Sequence, residues 1–171
     1  MTRSVVCGVD DTPDARRAVT VAARLAAALD LPLVLVHVTP AVGLAAYPLT
    51  DGSAVLSGPA PAVPYPPVPP DTADVERARE HGERLLAKVA ADCRLEGAGL
   101  RAETAADTAE GLRRAAVGEN AEFLVVGSRG RGLAKSALLG STSSELVAEA
   151  PCPVVVIPPE AGEPAAGSDR A

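Results

Sequence analysis

The feature that most constrains this chain is an alternation. Short, nearly continuous aliphatic runs are separated by longer stretches in which apolar residues recur every three to four positions. The short runs read as strands buried on both faces, and the longer stretches as amphipathic helices. Strand and helix in regular turn imply a parallel sheet covered by helices. Five strands are expected, at residues 4–9 (SVVCGV), 33–38 (LVLVHV), 100–104, 123–126 (FLVV) and 154–157 (VVVI). Right-handed crossovers with one reversal of direction allow the order 3-2-1-4-5, an α/β, Rossmann-like sheet with helices on both faces.

Helix boundaries follow from local chemistry. The first strand ends in Asp10 and Asp11, and Pro13 stands where a first helical turn tolerates it. Ala18, Ala22, Leu25, Ala26 and Leu29 then mark one apolar face, with Arg16, Arg17 and Arg24 elsewhere. Asp71 or Thr72 can cap a second helix with Val75, Ala78, Leu85, Leu86, Val89 and Cys93 inward. A third starts near Thr108, turns Ala109, Leu112, Ala116 and Val117 inward, and closes at Gly118 and Asn120. A fourth runs from Ser141 towards Pro151. Residues 40–70 hold nine of the sixteen prolines, a composition that cannot continue a helix and reads as a long connection. One domain over residues 1–158 is expected, followed by a disordered tail at 159–171 that lacks apolar content.

Charge and composition narrow the partners. Twenty-two acidic against sixteen basic residues give a net charge of -6, a field that repels polyanions. One Phe, two Tyr and no Trp leave no platform for stacking bases, so no nucleic-acid partner is expected, whereas a small anion captured locally is compatible. Cys7, Cys93 and Cys152 are odd in number and widely spaced, which matches neither a disulfide framework nor a zinc knuckle and suits a reducing cytoplasm. No apolar run approaches the roughly 20 residues needed to cross a bilayer. The start MTRSVVCGVDD lacks a signal-peptide apolar stretch. A cytoplasmic location without a membrane partner is expected.

The segment from Gly127 to Ser141, GSRGRGLAKSALLGS, follows a buried strand and precedes a helix. Gly127 and Gly130 permit a turn and close approach at the carboxyl edge of the sheet. Gly140 and Ser141 open a helix whose first amides have no internal partner and carry partial positive charge. Hydroxyls on Ser141, Thr142 and Ser143 add donors there, so the segment can cradle a phosphate chain with little cationic help. A Walker A loop is absent, because Lys135 and Ser136 follow Ala134 and the helix starts later. A Rossmann GxGxxG is absent as well, because no glycines follow the first strand. In the order 3-2-1-4-5 the first and fourth strands adjoin, which sets Asp10 against Gly127. A carboxylate there suits ribose hydroxyls or a shared divalent cation, and a nucleotide satisfies both ends.

These residues resemble the universal stress proteins, in the branch that binds ATP. The family's pattern of Gly, two residues, Gly, nine residues, Gly, then Ser or Thr is met by Gly127, Gly130, Gly140 and Ser141. The likeness extends to VVCGVDDTPDARRAV, LVLVHV and APCPVVVIP. It implies an adenine nucleotide alpha hydrolase-like fold. Asp10 would contact the ribose, the backbone of Val38 would read the adenine edge, and Gly8, Val9 and Val126 would line the base pocket. Gly127, Arg129, Gly130, Gly140, Ser141, Thr142 and Ser143 would surround the phosphates, with Mg2+ as a candidate companion ion. The resemblance further implies a homodimer through the last strands and an unidentified regulatory protein partner. Two departures stand out: Asp11 replaces a small or apolar residue, and the proline-rich stretch replaces a shorter connection.

The function this implies is a nucleotide-dependent stress-response regulator without efficient turnover, since neither an arginine finger nor a Walker B pattern is present. Two alternatives keep the fold: a nucleotide-free dimeric interaction protein, and a slow ATPase. A phosphorylation receiver domain is disfavoured, because Pro158 and Pro159 stand where its lysine is required. His37 reads as a structural histidine, His81 as solvated, Cys7 and Cys152 as small core residues, and Arg113 and Arg114 as an exposed helix face.

Overall fold

A computed structural model describes residues 2–10, 12–41, 71–128 and 139–158, with backbone alone at 13 and 14. The expected proline-rich connection falls mostly, and the expected tail wholly, outside the described residues. In chain order the elements are β1 (Ser4–Gly8), α1 (Pro13–Leu29), β2 (Leu33–Pro40), α2 (Thr72–Asp92), β3 (Gly99–Ala105), α3 (Thr108–Gly118), β4 (Ala121–Gly127), α4 (Ser141–Glu149) and β5 (Val154–Ile157). All described strand pairings are parallel and the sheet order is β3-β2-β1-β4-β5. This is the expected topology. None of the described helices is long and apolar enough to cross a membrane.

Strand side chains alternate between faces, and the alternation sorts the core into two layers. Val5, Cys7, Leu33, Leu35 and Val125 pack with Ala18, Ala22 and Ala26 of α1 and Leu85, Leu86 and Val89 of α2. Val6, Val36, Val38, Leu124 and Val126 pack on the other side with Ala109, Leu112 and Ala115 of α3 and Leu146 of α4. Register fixes this sorting: Cys7 pairs with Leu35 on one side and Val125 on the other, all on the α1–α2 face.

Small residues set the spacing between helices and sheet. An added methyl at Gly111 of α3 would lie 2.5 Å from Val38 Cγ1, and one at Gly82 of α2 would lie 2.9 Å from the Ala102 methyl. Both helices therefore sit closer to the sheet than any larger residue would allow. Caps define the helix ends. Thr12 accepts from the Ala15 amide and Asp107 from the Glu110 amide. Asp30 takes a left-handed conformation after α1 (φ 52°), while the Leu31 amide bonds back to the Ala26 carbonyl.

Three sequence expectations are corrected here. Leu29 and Val117 are 44% and 67% exposed rather than inward: Leu29 is the final residue of α1, and Val117 lies off the face of α3 that buries Ala109, Leu112, Ala115 and Ala116. The expected exposed face holds for Arg114, whose side chain is 52% exposed, and not for Arg113, at 24%. Arg113 reaches Glu145 and Glu149 on α4 at 3.0 and 2.6 Å, and Arg114 reaches Glu103 and the Thr104 carbonyl on β3.

Candidate functional site

The order of the strands reverses between β1 and β4, and the carboxyl ends of this pair open onto a cavity of about 590 Å3. Such a crevice forms because the helices leaving the two strands pass to opposite faces. Gly8, Val9, Asp10, Val38, Val126, Gly127, Gly140, Ser141, Thr142 and Ser143 all line it. The fold thus gathers residues from four separate chain segments. Arg129 and Gly130 lie outside the described residues.

Each wall has a structural cause. Val9 continues beyond β1 by donating its amide to the Val36 carbonyl at 2.8 Å, while its own carbonyl meets His37 Nδ1 at 2.8 Å. The acceptor is a carbonyl, so Nδ1 carries the proton. Asp10 follows, and its Oδ1 accepts from the Thr12 amide at 3.1 Å and from the Thr12 hydroxyl. On the opposite wall the Gly140 amide donates to the Ser128 carbonyl at 2.7 Å, and the Ser128 amide to the Ile157 carbonyl at 2.7 Å. The start of α4 is thereby seated on the ends of β4 and β5.

That helix start is uncapped: Gly140 occupies the N-cap position and no side-chain cap bond is formed. The amides of residues 141–143 precede the first intrahelical donor, Ser144, which bonds the Gly140 carbonyl at 2.9 Å. These amides, with the partial positive charge of the helix end, make one side of the cavity a receptor for anionic oxygen. The Ser128 hydroxyl beside this seat is buried and has no hydrogen-bond partner among the described residues. Asp10, which lines the same cavity, supplies an acceptor for hydroxyls. Unpaired donors and a carboxylate lining one cavity fit a molecule carrying both an anionic chain and a sugar.

Ser143 has a different part from the one its sequence position suggests. It is buried, and its hydroxyl donates to the Gly127 carbonyl at 2.7 Å, so the side chain locks α4 to β4 and leaves only the backbone amide as a donor to the cavity. Sequence reasoning did not assign His37, Thr39, Pro40, His81, Thr108 and Leu112 to the site, and these complete the lining together with Ala15 and Val36. For His37 a signal exists in Gly82. A glycine within a helix marks a close approach, and a methyl there would lie 3.0 Å from the His37 ring.

The described residues hold no group of three or more His, Cys, Asp or Glu side chains suited to a metal ion. Burial pushes the thiols of Cys7, Cys93 and Cys152 up from their ordinary value, which keeps them protonated and weakly nucleophilic at neutral pH.

The model of the universal stress protein family matches residues 1–60 and 55–158. The chain belongs to the universal stress protein family. Among its relatives, a universal stress protein of Mycolicibacterium smegmatis is 36% identical over 155 residues, covering 90% of this chain and 47% of that protein. The chain spans less than half the length of the curated relatives it matches, from 36% to 47% of the first two. Among solved structures, the universal stress protein from Archaeoglobus fulgidus in complex with dAMP has a TM-score of 0.57 at 20% identity, covering 91% of this chain and 97% of that one. A universal stress protein in complex with cAMP has a TM-score of 0.59 at 18% identity, with 91% and 97% coverage. These likenesses show that this universal stress protein shares the α/β fold of the solved members.

Proposed function

We propose that this universal stress protein binds an adenine nucleotide, ATP in the first instance, and acts as a nucleotide-dependent regulator in stress response with little or slow hydrolysis. The observation that carries this reading is the cavity at the carboxyl ends of β1 and β4, lined by both the uncapped start of α4 and Asp10. In it the amides of Ser141, Thr142 and Ser143 and the hydroxyls of Ser141 and Thr142 receive the phosphates. Gly127 and Gly140 keep the backbone close, and Arg129 and Gly130 are assigned to the same end. Gly8, Val9 and Val126 border the base, the Val38 backbone reads its edge, and Asp10 accepts from the ribose. Mg2+ enters with the phosphate oxygens, and Asp10 is the one carboxylate among the described lining residues. The dAMP and cAMP complexes of related proteins support the choice of an adenine nucleotide.

Regulation without turnover follows from differential affinity: a ligand shifts an equilibrium only as far as it prefers one state. The proposed second state is a homodimer formed through β5, whose outer edge has no strand partner among the described residues, and which a regulatory protein in the cytoplasm would read. The test is calorimetric titration of the purified chain with ATP, ADP and AMP with magnesium, alongside mass spectrometry of small molecules released on denaturation. Binding of ATP with negligible phosphate release is the expected result. Absence of binding to all three at millimolar concentration would overturn the reading.

A further inference from the structure

The carboxylate of Asp10 is divided between two tasks, and the division is visible in its hydrogen bonds. Oδ1 accepts both the amide and the hydroxyl of Thr12. No other group among the described residues bonds the carboxylate, so within them Oδ2 has no partner, on a residue that lines the cavity. The direction of the Thr12 hydroxyl is fixed as well. Its oxygen accepts the Ala15 amide at 3.3 Å, so its single proton points to Asp10, and the chain of donors runs from the α1 backbone through Thr12 into Oδ1. The root of Asp10 is held from the other side, because the preceding residue, Val9, is gripped at both amide and carbonyl by Val36 and His37 of β2.

We infer that Thr12 is a positioning residue that sets sugar selectivity: by occupying Oδ1 of Asp10 it fixes the carboxylate plane, so that Oδ2 meets a ribose hydroxyl of the bound nucleotide. This rests on the nucleotide-binding reading above. On that reading the phosphates are held at α4 and the base by Gly8, Val9, Val126 and the Val38 backbone, and Thr12 is not among the residues lining the cavity. Loss of the Thr12 hydroxyl therefore weakens the sugar contact selectively. With the hydroxyl gone, Oδ1 keeps only the backbone amide of residue 12, so the carboxylate is held by one bond instead of two, and the preference for a ribose hydroxyl falls because the acceptor is less organised before binding.

The experiment compares the wild-type chain with Thr12→Val and Thr12→Ser by titrating ATP, 2′-deoxyATP and 3′-deoxyATP. The wild type is expected to prefer ATP over the weaker deoxy analogue by about tenfold, the value of one charge-assisted hydrogen bond. Thr12→Val is expected to reduce that ratio to about twofold, and Thr12→Ser, which keeps the hydroxyl, to preserve it. Loss of the helix cap alone would lower the melting temperature of Thr12→Val without moving the ratio. An unchanged ratio in folded Thr12→Val, or no sugar preference in the wild type, overturns the inference while leaving nucleotide binding intact. A wild type that binds none of the three overturns the reading beneath it and the inference together. Should Thr12→Val not fold, a wild-type ATP complex decides: a ribose hydroxyl on Oδ2 with Thr12 still on Oδ1 supports the inference, and an Asp10 withdrawn from Thr12 refutes it.

Discussion

At the scale of single residues, space and proton affinity make separate predictions. Gly111 faces Val38 so closely that an added methyl would lie 2.5 and 2.8 Å from its two γ carbons. Overpacking of this kind costs about 1–3 kcal/mol, more than the roughly 1 kcal/mol that alanine gains over glycine within a helix. Gly111→Ala is therefore expected to lower stability in urea unfolding and, by displacing Val38, to weaken nucleotide binding. Cys7 is fully buried in β1 and burial pushes its thiol well above its ordinary value of 9.0. The sign follows directly. Above pH 9 the unfolded chain releases the thiol proton while the native chain retains it, so the contribution to stability is complete below pH 9 and declines as pH rises, by about 1.4 kcal/mol per unit. Urea unfolding between pH 8 and 10 is expected to show this decline in the wild type, with a slope shallower by that amount in Cys7→Ala.

At the scale of elements, the ties between helices were the least legible part of the sequence. Arg113 links α3 to Glu145 and Glu149 of α4, with its own side chain 24% exposed, whereas Arg79 and Glu83 form an exposed pair within α2. An i,i+4 surface pair contributes about 0.3–0.5 kcal/mol. A partly screened arginine spanning two helices should contribute about 1 kcal/mol after discounting for the exposed Glu149. Arg113→Ala is thus expected to be the more destabilising change in thermal unfolding, and 1 M salt to narrow the gap between the two variants. Nothing in the spacing of Arg113 and Glu145 announces this contact, since partners more than thirty positions apart meet only when both helices pack on the same face. The strands themselves were legible, because an aliphatic run such as residues 154–157 has few alternatives. Helix termini were read with mixed success: Asp71, one of the two residues offered, takes the N-cap position of α2 though without a side-chain cap bond, and Ser141 begins α4 as expected, while Leu29 and Val117 are exposed rather than inward.

At the scale of the whole molecule, ligand binding and folding are linked. If ATP binds only the native chain, a concentration one hundred times Kd adds about 2.7 kcal/mol of stability, which for a chain of this length raises the melting temperature by several degrees. Differential scanning fluorimetry with ATP against guanosine triphosphate is expected to show the larger shift with ATP. The amino-acid sequence alone determined the class of fold and the order of its strands, because aliphatic run length, helical periodicity and the handedness of crossovers are local or topological properties. The glycine spacing and the acidic end of the first strand also pointed to Asp10, Gly127, Gly140, Ser141, Thr142 and Ser143, and the family resemblance added Gly8, Val9, Val38 and Val126; these ten line one cavity. Only the tertiary structure decided that Ser143 turns its hydroxyl to Gly127, that His37 holds the Val9 carbonyl, and that Thr12 takes one oxygen of Asp10. The first two depend on where a side chain ends relative to a backbone group brought near by strand pairing or by the packing of α4 on β4, which no spacing along the chain encodes; the third is local, but sequence alone leaves open which rotamer the two side chains adopt.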